Sequence, residues 1–214
     1  DAAVAVAFAL GVCEPNASGL GGGGFMTAYN MKTKQSVFVD FREVAPASAT
    51  PDMWQVDEHG AVVGGEKGEG GKSICVPGEV AGLCHIQEKF GRLSLEEVVA
   101  PAIRLAEEGV VISPVLYKDL MDNRKKLERF AEPGNPYLNE YVPGDRLKNP
   151  DLASTMAAIA REGPQVFYTG RLAKAIVHSI NSHGGDFTLS DMADFQVKES
   201  TPLRGFYRGY EILS

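Results

Sequence analysis

The order of elements around one glycine run, Gly19-Leu20-Gly21-Gly22-Gly23-Gly24, constrains this chain more than any other feature. Before it, residues 1–13 carry no charge after Asp1. That stretch is shorter than the roughly 20 apolar residues a bilayer span needs, and it lacks the basic leader of a signal peptide. A buried core helix is expected, stopped at Pro15. After the glycines, Phe25–Tyr29 and Ser36–Asp40 read as two strands, joined by a turn over residues 30–35. The run satisfies G-x-G-x-x-G, but dinucleotide binding needs a strand before the glycines and a helix N-terminus after them. Here the order is reversed, so the glycines are expected to let a strand pass close to other backbone.

Residues 44–72 are polar and glycine-rich and read as a long, mobile excursion. Within it, Gly65-Glu66-Lys67-Gly68-Glu69-Gly70-Gly71-Lys72-Ser73 resembles a phosphate-binding loop. The position where that motif requires its first glycine is Glu66, whose carboxylate would oppose phosphate. The strand-like Ser73–Val76 also stands where a helix should begin. A surface loop is the better account, and an NTPase is the rival enzyme class.

Helices are expected thereafter. Val80, Leu83, Ile86 and Phe90 recur at helical spacing. Ser94-Leu95-Glu96-Glu97 is a capping box that opens a helix to about Gly109, with a kink at Pro101. Residues 115–130 are amphipathic, one helix runs from Pro150 to Gly163-Pro164, and another runs from Phe167 to His183. Thr188-Leu189-Ser190-Asp191 is a second capping signal, and Phe195–Lys198 and Phe206–Leu213 alternate like strands.

The net charge of −7 and the pI near 5.2, with no basic stripe, exclude nucleic acid and anionic membrane as favoured partners. Cys13, Cys75 and Cys84 are too few for a disulfide scaffold and fit no metal spacing. A Cys75–Cys84 bridge is conceivable, and unpaired small hydrophobes are the favoured state. His59, His85, His178 and His183 are scattered, without acid or histidine partners at metal spacing, and no serine lies in G-x-S-x-G. Arg42 stands out. A guanidinium can grip both oxygens of a small carboxylate, and Asp40, Glu43 and the rigid Ala45-Pro46 pair flank it. The plainer reading of Arg42 is a surface ion pair of small worth. From residues alone, the chain is a soluble α/β protein with one suspect arginine.

Seven segments in order carry a family resemblance: Asp1–Ala5, Glu14-Pro15 with Ser18–Phe25, Asp40-Phe41-Arg42-Glu43 with Ala45-Pro46, Val76–Leu83, Pro101–Ala106, Gly163-Pro164 with Phe167-Tyr168 and Gly170, and Thr201–Gly205 with Tyr207–Glu211. Together they resemble the large chain of the γ-glutamyltransferase (γ-glutamyl transpeptidase) family over nearly the whole length. The resemblance implies an α+β class, an N-terminal-nucleophile hydrolase αββα sandwich, of which residues 1–214 form a single partial domain. It implies a precursor that cuts itself into a large and a small chain. The N-terminal threonine of the small chain attacks γ-glutamyl amides such as glutathione and passes the acyl group to water or to an amino acid or peptide.

That nucleophile is expected outside this chain, so residues 1–214 alone should be inactive and should pair with the small chain of the same precursor. The start on Asp1 is read as a clip from a longer product. Arg42 is expected to bind the substrate α-carboxylate, with Asp40 and Glu43 supporting the guanidinium. No cofactor or metal is implied, and a periplasmic or extracellular place is suggested by relatives alone. The enzyme-class rivals are a β-lactam side-chain acylase or a poly-γ-glutamate processing enzyme on the same scaffold, separable by assaying γ-glutamyl against glutaryl amides. The non-enzyme rival is a binding or structural module.

Overall fold

The computed structural model describes residues 1–65 and 67–214; Glu66, singled out in the phosphate-loop comparison, lies outside the described residues. The first helix, α1, spans Ala2–Cys13 and leads through the glycine loop to β1 (Gly24–Asn30) and β2 (Gln35–Phe41). These strands pair antiparallel, from Gly24↔Phe41 to Asn30↔Gln35, as the alternating pattern predicts. α1 buries Val4, Phe8 and Val12 but leaves Val6 and Leu10 exposed, so the expected core helix is covered on one side only.

The polar segment after β2 is anchored where it begins. Val44 and Val76 form an antiparallel bridge, Ala47 N–H donates to Asp191 Oδ1 at 2.7 Å, and Ser48 Oγ donates to Asp186 O at 2.8 Å. The strand expected over Ser73–Val76 is reduced to that single bridge, because Gly71–Ser73 turn as a 3-10 helix. The Gly71 N–H donates to His183 O at the C-terminal end of a later helix, where carbonyls point outward. A phosphate there would meet carbonyl oxygens, which disfavours the nucleotide reading.

Helices α2 (Glu79–Phe90) and α3 (Leu95–Glu108) follow, and α3 opens on the expected capping box between Ser94 and Glu97. Next come β3 (Val110–Val111), α4 (Pro114–Asp122), α5 (Arg124–Phe130), β4 (Arg146–Leu147) and α6 (Pro150–Glu162). The helix expected over Phe167–His183 is two, α7 (Gln165–Tyr168) and α8 (Arg171–Ser182). Thr169 Oγ1 donates to Gln165 O, and a Cβ on Gly170 would lie 2.8 Å from Val166 Cα, so the chain turns there in close contact. α9 (Leu189–Ala193) carries the second capping box, through Thr188 and Asp191.

The tail differs from expectation in two ways. Phe195 lies outside any strand and stacks on Tyr168, with ring centroids 5.7 Å apart. Residues 204–213 are a hairpin, β6 (Arg204–Tyr207) and β7 (Tyr210–Leu213), that turns at Arg208 and Gly209 with φ of 49° and 85°. Positive φ at both central residues is the turn whose twist suits a two-residue hairpin. Between α9 and this hairpin, β5 (Lys198–Ser200) pairs with β2 through Asp40↔Lys198 to complete a sheet ordered β1-β2-β5.

One core joins α1, β2, α3 and α6 around Phe8, Val39, Val99 and Met156; a second joins α2, the end of α6 and α7–α9 around Val80, Ile159 and Met192. Met26 and Val39 turn to the first core, whereas Phe25 on the opposite sheet face is 52% exposed. The mixture of helices and antiparallel strands is the α+β class. Cys13, Cys75 and Cys84 are all unpaired, and burial pushes the Cys84 thiol up to about 12.

Candidate active site

Three backbones meet where β2 ends. A Cβ on Gly23 would sit 2.5 Å from Phe41 O, and one on Gly78 would sit 1.9 Å from the same oxygen. Both distances are below any real contact, so only glycine lets the loop, the end of β2 and the start of α2 cross there. Gly22 O accepts from the N–H groups of Gly78 (2.8 Å) and Glu79 (2.9 Å), which seats the first turn of α2 on the loop. Tyr168 fastens the other side of that turn: its hydroxyl donates to Pro77 O at 2.8 Å and accepts from Ala81 N–H at 3.1 Å. Gly21 has open space around its Cβ position, so the close approach belongs to Gly23.

This crossing holds the Arg42-Glu43 dipeptide between the last residue of β2 and the Val44–Val76 bridge. Asp40 Oδ1 accepts from the backbone N–H of Arg42 at 2.9 Å, so Asp40 fixes the main chain rather than the guanidinium. Glu43 approaches the guanidinium itself, with Arg42 Nε 3.5 Å from Glu43 Oε2. At that length the pair is loose, and the Arg42 side chain is 66% exposed. Contact through Nε leaves the two terminal nitrogens for a planar carboxylate.

Two residues around the Arg42-Glu43 pair escaped the sequence reading. The first is Phe25, whose ring lies under the guanidinium with Arg42 Cζ 5.6 Å from its centroid. Phe38 stacks on the same ring at 5.6 Å, so the ring under Arg42 is itself braced by a second ring on the open face of the sheet. Strand alternation places Phe25 and Phe38 on that face, which is the signal that could have found them. The second is Glu79, which shares with Glu43 a cleft of about 550 Å³ lined also by Ser18, Tyr137 and Asn149. Burial first, and Glu43 second, push the Glu79 carboxyl above its ordinary value. Among the described residues, no group of three or more His, Cys, Asp and Glu side chains converges as a metal site requires.

An exposed guanidinium on an aromatic platform can receive an anion and orient it.

Comparison with known proteins gives a consistent result. The family model described as Gamma-glutamyltranspeptidase matches residues 1–214. The chain is 41% identical over 218 residues to the glutathione hydrolase proenzyme of Bacillus subtilis (strain 168), covering 99% of this chain and 36% of that protein. It is 38% identical over 224 residues to the acylase ACY 1 proenzyme of Pseudomonas sp. (strain V22), covering 100% of this chain and 39% of that protein. The crystal structure of Helicobacter pylori gamma-glutamyltranspeptidase superposes with a TM-score of 0.90 at 37% identity, covering 99% of this chain and 61% of that one. The chain thus spans little more than a third of the curated relatives' length.

Proposed function

Because this chain belongs to the gamma-glutamyltranspeptidase family and has its N-terminal-nucleophile hydrolase fold, we propose that it is the large-chain part of an enzyme that transfers or hydrolyses γ-glutamyl groups. Glutathione-type amides are the donor class, and water, amino acids or peptides are the acceptors. In this reading residues 1–214 are one partial domain. The nucleophile is the N-terminal threonine of a small chain outside it, and the role of Arg42 is to hold the donor's α-carboxylate. A carboxylate fixed there sets the distance from carboxyl to scissile amide, which converts loose binding into aligned attack.

The observation that carries the reading is the placement of Arg42: loosely paired, 66% exposed, and supported from below by Phe25 on an uncovered sheet face. The same face and the tail leave large apolar side chains bare. Phe206 is 80% exposed, Leu203 78% and Tyr210 76%, far more than a finished surface leaves in one region. That supports a second chain of the precursor covering the tail.

The test uses the complete gene product and follows chromophore release from a γ-glutamyl anilide, wild type beside Arg42→Ala. Turnover by wild type with loss of most of kcat/KM in the variant supports both the activity and the arginine's role. A variant equal to wild type reduces Arg42 to a surface ion pair. Self-cleavage of the precursor without turnover would mean another amide is the substrate.

The side-chain acylase is the second reading, favoured by the acylase relative. A glutaryl amide keeps a carboxylate at the same reach from the amide and lacks only the α-amine. Arg42 therefore serves either donor, and the ratio of the two rates decides between them.

A further inference from the structure

Glu43 and Glu79 bracket three consecutive glycines. Glu43 Cδ lies 3.0 Å from the place a Cβ on Gly23 would occupy, and its Oε1 lies 3.8 Å from that of Gly22. Glu79 Oε2 lies 3.9 Å from that of Gly24. Side chains on the loop would separate the two acids; without them the carboxyls share one cleft. The backbone of Glu79 is fixed, because its own N–H is bonded to Gly22 O and its turn is fastened by Tyr168. Glu43, by contrast, has two neighbours, Arg42 at 3.5 Å and Glu79 in the same cleft.

We propose that Glu79 is a positioning residue that acts on Arg42 through Glu43, and that its ionisation sets how firmly the arginine is held for a donor carboxylate. The proposal rests on the γ-glutamyl reading above. An ionised Glu79 repels Glu43 and holds it toward the guanidinium. A protonated Glu79 donates its O–H to the Glu43 carboxylate and draws it into the cleft, away from Arg42.

The groups facing Glu79 leave this exchange to the two acids. From the segment after β2 come Glu43 and, behind it, Arg42. From α7 comes the Tyr168 phenol, and across the cleft stands the Tyr137 phenol. Burial raises both phenols, so they stay neutral. Because the Glu79 carboxyl is raised, its protonated form favours the fold. That contribution is present at low pH and falls away as pH rises from the ordinary carboxylate value through the raised one.

The experiment measures kcat and KM separately for a γ-glutamyl anilide with the matured complete enzyme, from the carboxylate range up to neutral pH. In wild type, KM rises as pH falls through the raised Glu79 range, while kcat changes less. Glu79→Gln, whose amide donates to Glu43 at every pH, shows a neutral-pH KM raised roughly three- to tenfold, a typical coupling between neighbouring groups. Its acid-side KM change is lost and its kcat is retained. In an Arg42→Ala background, Glu79→Gln adds no further rise in KM.

A Glu79→Gln enzyme with wild-type KM and pH profile overturns the proposal, as does a rise of equal size in the Arg42→Ala background. Should that variant fail to mature, Glu79→Asp carries the test. Its shorter side chain stands farther from Glu43, so the KM midpoint moves to lower pH, and an unmoved midpoint overturns the proposal. Wild type without turnover of the anilide overturns the γ-glutamyl reading and this inference together. An active wild type with an indifferent Glu79 overturns this inference alone.

Discussion

At the scale of single residues, Arg42 and Gly23 make opposite demands on the same spot. Arg42 must stay reachable, so its worth lies in a ligand rather than in the fold. Arg42→Ala should leave the unfolding midpoint of the complete protein nearly unchanged, since an exposed pair contributes about 0–1 kcal/mol. The same change should remove roughly 2–5 kcal/mol of transition-state binding to a γ-glutamyl anilide, read from kcat/KM. Gly23 is the reverse. Gly23→Ala places a methyl 2.5 Å from Phe41 O and 2.9 Å from Glu43 N, both backbone atoms that cannot swing aside. It should destabilise by about 1–3 kcal/mol in urea unfolding, as overpacking does, and should lower kcat/KM because Glu43 moves with the main chain. Arginine beside two acids was legible as a candidate from sequence. That Asp40 bonds the main chain while Glu43 meets the guanidinium was not, because strand direction and side-chain rotamer decide it.

At the scale of elements, the caps show local chemistry acting as read. Ser94 N–H donates to Glu97 Oε2 at 2.8 Å, and Glu97 N–H donates to Ser94 Oγ at 3.2 Å. Ser94→Ala should cost about 1 kcal/mol of stability by denaturant unfolding, the usual worth of an N-cap. The bonds from Ser94, backbone first, hold the Glu97 carboxyl below its ordinary value. Its stabilisation is therefore present above the ordinary carboxylate range and is lost as pH falls through the lowered value. Glu97→Gln should accordingly flatten part of the acid limb of a stability–pH curve, and an unchanged limb would rule that out. Where elements failed to match expectation, the cause was contact as well as propensity. Phe167–His183 has helical composition apart from Thr169-Gly170, and the chain breaks there, where the Gly170 backbone packs on Val166. Residues 206–213 alternate like one strand, yet Arg208 and Gly209 adopt positive φ and fold them into a hairpin.

At the scale of the whole molecule, the uneven surface is the main observation. The β6–β7 hairpin pairs with itself and exposes Phe206, Tyr207 and Tyr210, while β1 exposes Phe25 and Tyr29. If the rest of the precursor covers this side, Phe206→Ser with Tyr210→Ser should loosen it. The variant's small chain should dissociate at a lower urea concentration than wild type's, measured by size-exclusion chromatography. Equal dissociation would mean that the hairpin is free surface in the complete protein. The two cores meet along α2 and α6, so such changes on the rim should leave Val99, Met156 and Ile159 packed as before.

What the sequence determined by itself is local: the α1 stop at Pro15, the β1–β2 hairpin, both capping boxes and the reversed order around the glycines. Each depends on bonds or steric limits between residues a few positions apart, so the residue types suffice to state it. Only the tertiary structure decided that Glu79 would stand beside Glu43, that Phe25 would lie beneath Arg42, and that the glycine-rich stretch would dock on the end of α8. Those meetings join segments distant in the chain. They follow from how the helices and the sheet pack to bury two cores, and no spacing within one segment encodes them.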